Sequence, residues 1–146
     1  MACWLGMRVA VNIYINRDAF TNTELALLET KSDQILETAC NQENVMLADY
    51  PNGLYSYWFT GLKPATKYTF LWPWVAKVGQ AEIIETLDKN RDKPVLVYMH
   101  EMTVWGTYPT KEYLAPLYDF LNKNYVQVGG ETYLSPKLAS DCGRKP

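Results

Sequence analysis

At 146 residues, with 48% hydrophobic and 21% charged side chains, the chain has the make-up of one globular domain. A net charge of −2 with no basic block argues against sequence-independent nucleic-acid binding, which needs clustered Lys and Arg. Three widely spaced cysteines and one histidine do not make a zinc site, and no metal or other cofactor is expected.

Arg8–Asn16 alternates, with Val9, Val11, Ile13 and Ile15 on one side, which predicts a strand. Residues 1–19 are expected to form that strand or a membrane-proximal stem. Thr21-Asn22-Thr23-Glu24 fits a capping box. Leu25, Leu28, Ile35, Leu36 and Ala39 follow at helical spacing and predict a helix from about 22 to 41. Val45–Asp49 is a short apolar run ending in an acid, as in a buried parallel strand. Tyr50-Pro51-Asn52-Gly53 is turn chemistry. With Asn52 as N-cap and Gly61 as stop, the spacing of Leu54, Tyr57 and Trp58 predicts a short helix over 53–60, buried on those three residues.

Lys67–Trp72 reads as a strand or an extended loop between Pro64 and Pro73. Ala76, Ile83, Ile84 and Leu87 predict a helix from about Val75 to Asn90. VLVYM at 95–99 is the clearest buried strand, followed by an aromatic loop over Thr103–Pro109. Pro116 suits the first turn of a helix reaching about Lys123, with Leu114, Leu117, Tyr118 and Leu121 as its apolar stripe. Two alternating runs around Gly129-Gly130 predict a hairpin over 125–134. The tail, 137–146, reads as disordered. The cysteines are expected to be independent thiols, with a Cys40–Cys142 bridge left open.

This order predicts a single α/β domain over 20–136. It has a small, partly parallel sheet with packed helices and a C-terminal hairpin, in a Rossmann-like three-layer arrangement. Ligands of such sheets bind at the C-terminal ends of parallel strands. Those ends are Asp49-Tyr50 and Met99–Glu101. Asp49 could accept from sugar hydroxyls while Tyr50 stacks; the competing reading is a turn-forming Asp before Pro51. His100-Glu101 could do acid–base work, or be a solvated strand end. Lys63 and Lys67 could hold a phosphate, or simply be solvated.

The aromatic residues gather over 50–79. Tyr57, Trp58 and Phe70 are expected in the core. Tyr55, Tyr68 and Trp72 could line a carbohydrate groove, and Trp72-Pro73-Trp74 could rest at a bilayer surface, where Trp and Tyr favour the headgroup level. No dinucleotide fingerprint, P-loop or nucleophile elbow is present. With a single histidine, a catalytic triad has no marked nucleophile, which weakens a small hydrolase built on His100. No run reaches the ~20 apolar residues of a membrane span. The N-terminus lacks the pattern of a signal peptide. The isolated chain is expected to be soluble.

Three segments carry a family likeness: ADYPNGLYSYWFTGLKPATKYTFLWPW (48–74), QAEIIETLDKNRDKPVLVYM (80–99) and YLAPLYDFLNKNYVQVGGETYL (113–134). Together they resemble the C-terminal soluble region of bacterial polytopic glycosyltransferases similar to dolichyl-phosphate-mannose protein mannosyltransferases. Tyr57 to Tyr68 is its most specific part. The resemblance implies an extracytoplasmic α/β domain beside the membrane portion of an enzyme that uses polyprenyl-phosphate-linked sugars. Its implied partners are that membrane portion, a lipid-linked sugar or glycan acceptor, and the bilayer surface. The family's catalytic acid lies in a loop between membrane helices that this chain lacks, so no catalytic residue carries over to any position here. The other reading is a free-standing carbohydrate or small-ligand binding module.

Overall fold

A computed structural model describes residues 22–42 and 44–144. The strand expected over Arg8–Asn16, the residue Cys3 and Thr21, which opens the expected capping box, lie outside them. Helix α1, Asn22–Thr38, precedes β1, Met46–Tyr50. Helix α2, Leu54–Thr60, and a two-residue strand β2, Lys63–Pro64, lead to α3, Pro73–Lys89. Then come β3, Val95–Met99, and a small hairpin of β4, Thr103–Val104, and β5, Tyr108–Pro109. The helices α4, Thr110–Tyr113, and α5, Ala115–Asn124, follow. The hairpin β6, Val126–Gly129, and β7, Thr132–Leu134, ends in α6, Pro136–Asp141.

The main sheet has the order β2-β1-β3-β7-β6. β1 runs parallel to β2 and β3, and β7 runs antiparallel to β3 and β6. The three-layer α/β arrangement expected from the sequence is therefore the one observed. The apolar strands β1 and β3 are buried on both faces, as central parallel strands must be. One core joins Ala48, Tyr50, Val95, Val97 and Met99 to Ile83, Leu87, Leu117 and Leu121 of α3 and α5. The other joins Leu47, Leu96 and Leu134 to Ile35 and Ala39 at the end of α1 and Leu138 of α6. Each fully buried Leu or Ile contributes roughly 1.5–3 kcal/mol.

Four local details differ from the sequence expectation. First, Gly53, not Asn52, occupies the N-cap of α2, and Asn52 instead bridges to Phe70. The predicted stop at Gly61 holds: it is left-handed, and its N–H donates to Tyr57 O at 3.1 Å. Second, the buried residue of α2 is Ser56, while Leu54, Trp58 and also Phe70 are exposed. Ser56 lies inside and Tyr57 packs half-buried on the second core as expected, but Trp58 and Phe70 face out and are not core residues. Third, the tail is not disordered as far as Arg144. Ser135 caps α6, accepting from Leu138 N, with Pro136 in the first turn and Leu138 and Ala139 buried. Fourth, Cys40 and Cys142 form a disulfide with Cα atoms 5.8 Å apart, tying the chain just after α1 to the end of α6. Two of the three cysteines are thus not independent thiols. Among the described residues, no helix is long and apolar enough to cross a membrane.

Candidate functional site

In the β1–β3 register, Asp49 lies opposite Tyr98 and Tyr50 opposite Met99. Side chains alternate along a strand, so Asp49 and Tyr98 face α1, and Tyr50 and Met99 face α3. His100, just past β3, keeps the parity of Tyr98. The result is a three-residue cluster at the C-terminal edge of the sheet. His100 Nε2 lies 2.7 Å from Asp49 Oδ1, and Lys31 Nζ of α1 lies 2.8 Å from His100 Nε2 and 3.6 Å from Asp49 Oδ2. The Asp49 side chain is fully buried, whereas His100 and Lys31 keep 25% and 27% exposure.

One nitrogen cannot both donate to Asp49 and accept from Lys31. If Nε2 carries the proton, it donates to the carboxylate, and Lys31 is held by the charge of Asp49. In the other tautomer, Lys31 donates to Nε2 and Oδ1 loses its donor. The cluster therefore has two alternative hydrogen-bonding arrangements, set by the His100 tautomer. Asp49 Oδ2 is buried without a hydrogen bond among the described residues, an expensive arrangement for an acceptor. The Asp49 backbone N–H donates to the Tyr57 hydroxyl at 3.1 Å, and burial pushes that phenol well up. Gly53 closes the back of the site, since a Cβ there would lie 2.5 Å from both Cβ and O of Asp49. The Tyr98 ring meets the His100 ring at 4.6 Å and carries Lys31 Nζ 5.0 Å from its centroid. Burial, together with the Glu131 and Asp49 carboxylates, pushes the Tyr98 phenol up.

A second feature is an exposed aromatic ledge formed by the start of α3 and the β4–β5 hairpin. Trp74 and Trp105 stack with centroids 4.7 Å apart and planes 6° from parallel, yet they are 50% and 57% exposed. Trp72 meets both edge-on, at 5.2 and 5.3 Å. Phe70 packs on Trp72 at 5.7 Å and Tyr108 near Trp105 at 6.5 Å. Two sequence features build the ledge. Pro73 starts α3 with Trp72 as its cap, which splays Trp72 and Trp74 around the helix end. Trp105 and Gly106 form the tip of the β4–β5 hairpin with φ of 50° and 67°. Left-handed backbone at a bulky residue costs about 1–3 kcal/mol; the stack on Trp74 offsets part of that.

The predicted residues separate into groups. Asp49 and His100 come together as described. Tyr50 points the other way and is fully buried, its hydroxyl 2.5 Å from Thr66 Oγ1, so it presents no face to a ligand. Glu101 also leaves the cluster: it pairs with Lys111 at 2.8 Å, and its backbone N–H donates to Glu131 Oε1. Lys67 is held by Glu82 at 2.7 Å, and Tyr68 donates to the same carboxylate at 3.0 Å. The Lys67 ammonium, then the Tyr68 hydroxyl, hold the Glu82 carboxyl below its usual range. Lys67 and Lys63, which is exposed on β2, do not converge on the Asp49 cluster. Tyr55 is half-buried on α2, while Trp72 and Trp74 belong to the ledge. Lys31 and Trp105 were missed. Lys31 carries no motif, and only the packing of α1 on the sheet brings it to Asp49. Trp105 sits in the aromatic loop that the sequence did mark.

Among the described residues, no group of acidic, His and Cys side chains could hold a metal ion. Comparison with protein-family models, with curated proteins and with solved structures found no match.

Proposed function

We propose that this chain is an extracytoplasmic domain of a membrane glycosyltransferase that uses polyprenyl-phosphate-linked sugars. It is non-catalytic on its own and helps to place donor or acceptor, with its aromatic ledge seated at the bilayer surface or against the enzyme's membrane portion. The observation that carries the reading is the half-exposed Trp74–Trp105 stack with Trp72, Phe70 and Tyr108 around it. Contiguous apolar patches of this kind mark interaction surfaces. Trp and Tyr in particular suit the boundary between water and lipid. The Cys40–Cys142 disulfide supports an oxidising compartment. The family likeness of segments 48–74, 80–99 and 113–134 supports the enzyme class.

The test is co-sedimentation of the chain with vesicles containing a polyprenyl phosphate. Binding is expected, with a fall of at least tenfold in Trp74→Ala/Trp105→Ala and no sugar transfer by the isolated chain. Equal binding by the double variant would overturn the seating, and transfer by the isolated chain would overturn the non-catalytic role.

A further inference from the structure

On the α1 face, a groove of about 540 Å³ runs between α1 and the β6–β7 turn. That volume lies in the range of small-ligand sites. Leu96 and Tyr98 of β3 form its floor, and Lys31, Gln34, Glu131 and Thr132 line it. It lies on the opposite face of the sheet from α3 and uses none of the ledge residues.

Two of these polar groups are fixed by the fold. Lys31 is drawn to Asp49 and His100, at 3.6 and 2.8 Å. Glu131 accepts from the Glu101 backbone N–H. Two others, the Gln34 amide and the Thr132 hydroxyl, line the groove and make no side-chain hydrogen bond among the described residues. The groove thus offers an ammonium donor, a carboxylate acceptor, an amide that does both and a hydroxyl that does both, over an apolar floor. Those are the groups that pair with a ring of hydroxyls, while the floor receives its C–H face. The charge balance selects further. Glu37 and Glu131 line the groove and Asp49 lies behind it, against the single ammonium of Lys31 in that lining. An anionic ligand is disfavoured.

We infer that this groove binds a neutral sugar, with Lys31, Gln34, Glu131 and Thr132 as its hydroxyl partners and Tyr98 beneath it. Asp49 and His100 are positioning residues that hold Lys31. Assigning the sugar to the donor or acceptor of a glycosyltransferase rests on the reading above; the binding itself does not. The site differs from the one expected at Asp49, Tyr50, His100 and Glu101, because strand parity turns Tyr50 and Glu101 away.

The experiment is saturation-transfer NMR and calorimetric titration of the full chain with methyl α-mannoside and methyl α-glucoside, with glucose 6-phosphate as the anionic probe. Saturable binding of at least one neutral glycoside is expected, with at least tenfold weaker binding of the phosphate. Gln34→Ala and Glu131→Ala should each weaken binding at least tenfold, with unchanged circular dichroism. Thr132→Val serves as a second probe of the same wall, and Trp105→Ala should have no effect. No saturable binding of either glycoside overturns the inference. So does binding that survives Gln34→Ala/Glu131→Ala but is lost in Trp105→Ala, which would place the sugar on the ledge. A chain that docks on vesicles but binds no sugar refutes the groove alone. One that binds sugar but not vesicles refutes the membrane seating alone.

Discussion

The Asp49 cluster predicts an asymmetry that ordinary exposure arguments miss. Consider Lys31→Met together with His100→Leu. Both replaced side chains are about a quarter exposed, so each alone looks benign. Together they leave the fully buried Asp49 carboxylate with neither of its partners. At an effective dielectric of about 20, the Lys31–Asp49 attraction across 3.6 Å is about 4–5 kcal/mol before desolvation. Desolvation cancels much of that, but stripping partners from a buried charge typically costs about 3–5 kcal/mol. Asp49→Asn removes the charge instead and keeps an acceptor for Nε2. The Lys31 and His100 side chains it leaves can turn to water, so the loss is about 1–1.5 kcal/mol, the difference between a charged and a neutral hydrogen bond. Adding Asp49→Leu to the double variant should restore most of the stability, because an apolar side chain then fills a buried apolar site. Urea unfolding followed by Trp fluorescence reads the order directly. A gap of a few kcal/mol moves the midpoint by on the order of 1 M. If Asp49→Asn costs as much as the double variant, or if Asp49→Leu fails to rescue it, the cluster is not arranged around a buried charge.

Three further outcomes are expected. Reducing Cys40–Cys142, which closes a separation of 102 residues, removes about 2–5 kcal/mol and lowers the thermal midpoint by on the order of 10 °C. An unchanged midpoint under reductant, with no cross-linked Cys40–Cys142 peptide by mass spectrometry, would refute the bridge. Gly53→Ala forces its Cβ into Asp49 and should cost about 1–3 kcal/mol by overpacking; a neutral result in urea unfolding would mean that α2 and β1 are less closely seated. Burial pushes the phenols of Tyr50, Tyr57 and Tyr125 well up and, with the Tyr118 charge, that of Tyr113 up to about 12. With unfolded phenols titrating near pH 10, this contribution to stability is complete below that pH. It is lost as pH rises toward the folded values. Absorbance at 295 nm should therefore show several tyrosines ionising only on alkaline unfolding. Titration of all of them near pH 10 in a folded chain would contradict their burial.

The sheet was legible because VLVYM and the run before Tyr50 have one physical explanation, burial on both faces. The placement of Asp49 and His100 at adjacent strand ends followed from it. What strand position did not supply was parity across the pair. Once the register sets Asp49 opposite Tyr98, His100 joins Asp49, while Tyr50 and Glu101 turn to the other face. Lys31 was illegible for a different reason: a lysine on a polar helix face acquires meaning only when the rotation of α1 on the sheet is known. The aromatic stretch was half legible. Its Trp72-Pro73-Trp74 segment was marked, but its stacking partner Trp105 arrives from a hairpin far along the chain. The helix α6 left a sequence signal, Ser135 followed by Pro136, which is a cap and a first-turn proline. Its short length and the glycine, arginine, lysine and proline after Cys142 masked it.

The most direct test of the membrane-seated reading is Trp fluorescence of the full chain on vesicles whose acyl chains carry bromine at a known depth. A blue-shifted emission is expected, quenched most strongly by bromines near the headgroups. Both effects should be lost in Trp74→Ala/Trp105→Ala while Trp58→Ala keeps them. Emission unchanged by vesicles, or quenching that persists without Trp74 and Trp105, would contradict it.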